Sequence, residues 1–411
     1  MGLRMKTDWP ALYADAIARL PAVAASARLT FCGNGACIDA RVSVHDIGPM
    51  LTSDLPAAVS LARLLESRAA RGLGGELTYD WPDGPAWIAD NLPVSYAIGG
   101  TGPHAAWTLT AVGAPALLAL ADRSDLMLRV APPEILLAED DRLVRLASVR
   151  NRGGAAKPPV FIFEYTAGKP VGEIVPTRSS RVIVRFGNFL LEQDADFDHL
   201  TTARVAEAGS ALISGFSSVA EEDLVREAAR VATVARSWRD GGLATIHLEL
   251  AGYERPDLLR TTLSEVRGTV TSIGMSLSEL RTIQGSDADL MEVMRSFGES
   301  QAVARVCVHA DHWAASMTRR DPAVEKEALL TGCLLAGSRA AAGHPVLPDR
   351  LDSAVGFRPL PFESTRRASS WTFVACASPY VRSPRTTLGL GDTFTGGCLL
   401  ALGASAEARY P

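Results

Sequence analysis

The sequence predicts an α/β protein: a doubly wound core around a mostly parallel sheet, with a smaller β-rich lid let into it by two excursions of the chain. Two observations carry this. Short apolar runs recur at residues 29–32, 116–121, 160–163, 182–184, 211–213, 244–250, 303–308 and 371–377, each bounded by turn residues. Such runs suit strands buried on both faces of a parallel sheet. Helical patterns lie between several of them, as at 221–238 and 325–342, and strand–helix alternation marks a doubly wound core. A third observation bounds both: 411 residues with 47% hydrophobic against 21% charged composition are enough for two or three folded units and too apolar for long disorder.

Along the chain, residues 40–97 are richer in Gly, Pro and mixed polar residues, and 151–190 carry two alternating strands near 159–165 and 181–186. These two segments are assigned to the lid; the core is then 1–39, 98–150 and 191–411. Residues 97–121 hold no Asp, Glu, Lys or Arg, which is long enough to span a bilayer. Gly99, Gly100, Gly102, Pro103, Gly113 and Pro115 instead divide the segment into a turn, a helix and a buried strand, so no membrane partner is expected. The net charge of −5 gives no basic surplus for nucleic acid. Six cysteines without a C-x-x-C pair read as free thiols of a reducing compartment, with Cys32 and Cys37 in the core. The first residues show no apolar leader. A cytoplasmic monomer or small homo-oligomer is the expectation.

The most informative segment is Gly389-Leu390-Gly391-Asp392, followed by an apolar helix predicted to begin near Thr393. Glycines at a helix start let backbone N–H groups converge on an anion, and the helix terminus adds partial positive charge. An Asp there can take a proton from a hydroxyl that attacks phosphorus. The same residues also fit a Gly-rich turn with Asp392 as a helix N-cap. No G-x-x-x-x-G-K-[ST] occurs, and no G-x-G-x-x-G follows Gly33, so neither a Walker loop nor a dinucleotide fingerprint is present.

Gly389-Leu390-Gly391-Asp392 resembles the G-x-G-D signature of the ribokinase-like superfamily. Further segments resemble one of its branches, the ADP-dependent glucokinase/phosphofructokinase family. Residues 31–40 are similar to its N-x-N-V-D-A segment and 97–106 to its G-G-Q-x-G-x-x-A-N segment. Residues 160–165 resemble its I-x-E-[FY] strand, 213–216 its L-S-G-F, 246–251 its H-x-E-x-A and 272–280 its S-x-G-[ML]-N-E-x-E-L. Order and spacing hold across nearly the whole chain.

The resemblance implies an ADP-dependent sugar kinase that moves the β-phosphoryl of ADP to a hexose or hexose phosphate. Asp392 is then the catalytic base, with Gly389 and Gly391 shaping the anion hole. Glu249 and Glu279 are the expected Mg²⁺ carboxylates, held through water. His247 and Glu249 also fit a structural pair at a strand end, and Ser276 with Glu279 fits a capping box; Ser276 stands where the family has Asn. Asp39, Asn34, Gly99, Gly100 and Thr101 are the expected sugar contacts, with Thr101 where the family has Gln. Glu76 resembles a lid carboxylate of glucose-using members and tilts the acceptor towards glucose; a loop residue is its plain alternative. Against glucose, Lys169 and Arg181 on the lid strands suit the 6-phosphate of fructose 6-phosphate; Arg181, or Arg185, alternatively reaches the nucleotide phosphates as lid arginines of the family do, and a surface cation is the plain reading of Lys169. His309, Leu390 and Thr393 are the expected nucleotide contacts, and His309 with His312 is assigned no metal. Competing expectations are an ATP-using kinase of another small alcohol and a catalytically weak sugar- or nucleotide-binding protein.

Overall fold

The computed structural model describes residues 7–151, 157–253, 255–284 and 289–404. Residues 1–6 of the ten on which the absence of a leader was read, and 152–156 near the start of the second expected lid excursion, lie outside the described residues. Eleven strands form the large sheet. Its middle is parallel, in the order Arg305–His309, Ser272–Ser276, Ile246–Glu249, Ala208–Ile213, Leu29–Cys32, Ala116–Leu118, Leu136–Glu139. Antiparallel strands flank it: Trp313–Thr318, Trp371–Ala377 and Thr365–Ala368 on one side, Arg142–Arg145 on the other.

Side chains of one strand alternate between the two faces, and both faces here are apolar. Cys32, Ala116 and Leu118 pack against the helices Trp9–Ser26, Thr101–Ala111, Pro322–Ala342 and Leu390–Gly403. Phe31 and Leu117 pack the other way, among Phe197, Leu224 and Trp238 of the helices Ala195–Ala203 and Glu221–Asp240. That two-sided burial explains why these strands read as unbroken apolar runs.

A second, five-stranded sheet runs in the order Gly75–Thr78, Ser180–Arg185, Val160–Tyr165, Cys37–Ser43, Ser95–Gly99. The runs 160–163 and 182–184 therefore belong to it and not to the large sheet. Strands Cys37–Ser43 and Ser95–Gly99 straddle the boundaries expected at 39/40 and 97/98. One face packs Val42, Phe161, Phe163, Val182 and Val184 with Leu61 and Leu65 of the helix Pro56–Ala70. On the other face Val160 and Ile162 cluster with Leu388, one residue before Gly389, so the small sheet covers the turn that opens the last helix.

Residues 97–121 resolve into the end of the strand Ser95–Gly99, the helix Thr101–Ala111 and the strand Ala116–Leu118. Among the described residues no helix is long and apolar enough to cross a membrane. The six cysteines are free thiols.

Candidate active site

The last helix starts at Leu390, three residues before the expected Thr393. Gly389 is its N-cap, with φ +67, a left-handed conformation that glycine adopts at least cost. Having no side chain, Gly389 cannot cap the helix. The N–H groups of Leu390, Gly391 and Asp392 have no acceptor within the helix; Thr393 N is the first to find one, the Gly389 carbonyl at 2.9 Å. This leaves a cluster of donors at a positive helix end, suited to an anion.

Asp392 is not the N-cap. It is half-buried in the first turn, and Thr101 lies close enough to lower its pKa. Burial pushes its pKa up, while Thr101 and the charges of Arg339 and Arg181 pull it down. Thr101, expected against the sugar, thus lies beside Asp392.

Asp39 and Asn34 come from the strand Cys37–Ser43 and the loop before it. Both are buried, and Asn34 Oδ1 has no partner among the described residues. Gly99 packs directly on Asp39: a Cβ there would sit 2.0 Å from Asp39 Oδ1. Gly100 is the N-cap of the helix carrying Thr101. Cys37, expected in the core, is instead half-buried with its Sγ 3.7 Å from Asp39 Oδ1, because its strand belongs to the small sheet. Burial pushes the Asp39 carboxyl up to about 8, and Asp392 adds to that push. An unfolded Asp ionises near pH 4, so the stability Asp39 contributes is complete below about pH 4 and is lost as pH rises through about 8. Asp39→Asn is therefore expected to gain thermal stability relative to wild type between pH 5 and 8.5. Parallel unfolding profiles for the two proteins would refute this environment for Asp39.

The carboxyl ends of three neighbouring parallel strands bring Glu249, Gly274, Ser276 and His309 side by side. Glu249 accepts from His247 Nε2 at 2.8 Å, His309 Nε2 at 3.3 Å and the Thr395 hydroxyl at 3.1 Å. Arg305 Nη1 donates to Ser272 Oγ, which lies 2.7 Å from His247 Nδ1; His247 then carries its proton on Nε2, facing Glu249. Burial raises the Glu249 carboxyl, but the two histidines outweigh it and hold it at about 2. Burial lowers His309, yet its bond to Glu249 prevails and lifts it to about 9. The His309 ring also lies against Gly391 and 5.3 Å from the Phe394 ring. Glu279 completes a capping box: its Oε2 accepts from Ser276 N at 2.6 Å, and Glu279 N donates to Ser276 Oγ at 3.2 Å. No three-ligand metal cluster occurs among the described residues. Two carboxylates with oxygens already sharing protein donors fit a Mg²⁺ held through its own waters, not an ion wrapped by side chains.

The small sheet supplies cations. Arg181 acts electrostatically on both Asp39 and Asp392, and its Nε is buried without a partner among the described residues. Arg185 is tied off: it pairs with Glu76 at 3.0 Å and donates to the Ser217 carbonyl at 3.0 Å. Glu76 is therefore not a loose loop residue but a half-buried member of the strand Gly75–Thr78. Lys169 is exposed in a turn closed by its N–H on the Thr166 carbonyl.

Thr393 departs from expectation. Its hydroxyl is fully buried, bonded to Arg339 and Thr108, and its N–H is spent on Gly389, so neither group is left for a nucleotide. Three partners were not singled out from sequence: Thr395 on Glu249, and His104 and Arg339 behind the Gly389 turn. Thr395 sits three residues after Asp392, one helical turn on, which is the signal that could have found it.

Residues 61–401 match the family model described as the ADP-specific phosphofructokinase/glucokinase conserved region. A search among curated proteins finds no match. Solved structures similar to the chain include an ADP-dependent kinase in complex with fructose 6-phosphate and ADPβS (TM-score 0.77, 19% identity, 97% of this chain and 98% of that one). A last common ancestor of ADP-dependent phosphofructokinases from Methanosarcinales gives TM-score 0.71 at 17% identity, over 96% and 98% of the two chains. A phosphofructokinase from Pyrococcus horikoshii OT3 with AMP gives 0.70 at 17%, over 92% and 97%. At these identities the likeness establishes a shared fold that spans both sheets.

Proposed function

Since the chain belongs to the ADP-specific phosphofructokinase/glucokinase family, we propose that it transfers the β-phosphoryl of ADP to a hexose hydroxyl between its two sheets, releasing AMP. The observation that carries this is the pairing of Asp392 with the uncapped N–H groups of the turn beside it. Asp392 takes the proton of the sugar hydroxyl as that oxygen bonds to the β-phosphorus. The bond from phosphorus to the α-phosphate oxygen breaks, and AMP departs with that oxygen. The amides of Leu390, Gly391 and Asp392 hold the migrating group, whose charge grows on oxygens they can reach. Arg181 adds a cation from the small sheet. Mg²⁺, when bound through water near Glu249 and Glu279, supplies further neutralisation of phosphate charge.

Asp39, its carboxyl raised to about 8 and so both donor and acceptor near neutral pH, holds the sugar hydroxyls with Asn34 and the backbone at Gly99 and Gly100. Glucose is the favoured acceptor. Its support is Glu76, a half-buried carboxylate on the strand Gly75–Thr78 of the small sheet, held in place by Arg185 at 3.0 Å. Fructose 6-phosphate is the second reading, and the unpartnered Arg181 Nε favours it, since a guanidinium suits a phosphate.

Sugar-phosphate formation with ADP or ATP against glucose or fructose 6-phosphate, with AMP or ADP identified as the co-product, tests all of this. The expected outcome is AMP from ADP with glucose exceeding that with the phosphorylated sugar. Turnover with ATP alone would refute the donor. ADP binding with no turnover on any hexose would make the chain a binding protein.

A further inference from the structure

Beneath the Gly389 turn the core holds a cation that no motif announces. Arg339, on the helix Pro322–Ala342, is 3% exposed. Its Nη1 donates to the Gly389 carbonyl at 3.2 Å and to the Thr393 hydroxyl at 2.9 Å. Its Nη2 donates to His104 Nδ1 at 3.2 Å, and the guanidinium lies 5.4 Å from the Trp107 ring centre. Its Nε is buried without a partner among the described residues. Burying an incompletely satisfied guanidinium is costly, and apolar packing would fill the same volume more cheaply. A role beyond packing is needed to account for it.

The placement of its donors suggests that role. Gly389 and Thr393 belong to the last helix. His104 belongs to the helix Thr101–Ala111, which presents Thr101 to Asp392 and follows Gly99 and Gly100. Arg339 has no acceptor to offer, so His104 accepts at Nδ1 and carries its proton on Nε2. That Nε2 is buried, 3.9 Å from Asp39 Oδ2 and without a hydrogen-bond partner. One guanidinium thus connects the anion-binding turn to the helix that borders the sugar side. The charges around it are Asp392 and Asp39, which favour it, and Arg181 and Arg41, which oppose it.

We propose that Arg339 is a positioning residue for phosphoryl transfer, a brace that fixes the Gly389 turn and the sugar-side helix in one relation. This rests on the kinase activity proposed above. By engaging the Gly389 carbonyl inside the core, the guanidinium keeps the following N–H groups aimed outward. Phosphoryl transfer depends on placement to within about an ångström, so loss of the brace falls on kcat before it falls on binding.

Arg339→Met and Arg339→Lys in the full chain test this, with kcat, both KM values, calorimetric ADP affinity and the thermal midpoint as readouts. Arg339→Met is expected to lower kcat about 100-fold while ADP affinity changes less than about threefold. Arg339→Lys, which keeps charge but not the fork, is expected to recover part of kcat, and it carries the test if the Met variant does not fold. A Met variant with kcat within about threefold of wild type would overturn the brace. So would a fall in kcat accounted for by unfolded protein at the assay temperature, or a folded Lys variant with wild-type kcat. Wild-type protein that forms no AMP from ADP with any hexose overturns the kinase assignment and the brace together; wild-type turnover with an unaffected Met variant overturns the brace alone.

Discussion

Asp392→Asn is expected to lower kcat by about 10²- to 10⁴-fold, the range for loss of a positioned general base, with ADP affinity close to wild type. The amide fills the same space, and Gly389 remains the N-cap, so the turn keeps its shape. It cannot take the proton that the sugar hydroxyl must release. An N-cap role predicts something different: little change in stability or in turnover, since Asn caps a helix about as well as Asp. The structure separates these, because Gly389 occupies the N-cap and Asp392 lies within the first turn. Steady-state rates and calorimetry on the same preparation decide the matter. Wild-type turnover in the Asn variant would remove Asp392 as the base.

Much of the fold was legible because its central strands are buried on both faces and so read as apolar runs. Two strands interrupted by glycine or buried polar residues were not. Ser272–Ser276 carries Gly274 where a Cβ would come 2.2 Å from Glu249 Oε2, and its Ser272 is fully buried on Arg305 and His247. In Trp313–Thr318 the buried Ser316 and Thr318 interrupt the apolar pattern in the same way. The site shows a similar division. Asp392 and its glycines are contiguous, so a short motif reveals them. The bond from Arg339 to Gly389 spans 50 positions, that from Thr395 to Glu249 spans 146, and that from Arg339 to His104 spans 235. No local spacing encodes such pairs. Adjacency in sequence misled at Thr393, which follows Asp392 directly yet points into the core, since the residues of a helical turn face in different directions.

Glu325→Ala is expected to cause the largest loss of stability, about 3–5 kcal/mol, because it strands a buried cation. Arg305 and Glu325 are paired at 2.8 Å with side chains 1% exposed. Arg305 Nη2 and Glu325 Oε2 lack hydrogen-bond partners among the described residues, so the pair is already under-satisfied. Taking away the carboxylate leaves the guanidinium with Ser272 Oγ at 3.2 Å as its remaining hydrogen bond in that network. Replacing both partners by apolar residues, as in Arg305→Met with Glu325→Leu, is expected to restore most of the stability, since no charge is then buried. The two variants should differ in function as well. Ser272, freed from Arg305, can reorient at His247 Nδ1, and His247 is one of the groups that hold Glu249. The double variant is therefore expected to fold well and still turn over more slowly. Denaturant unfolding with activity measured on the same variants tests both halves. A cost below about 1 kcal/mol for Glu325→Ala would show that the pair is not dry enough to matter, and full activity in the double variant would show that the chain from Glu325 through Arg305, Ser272 and His247 stops short of Glu249.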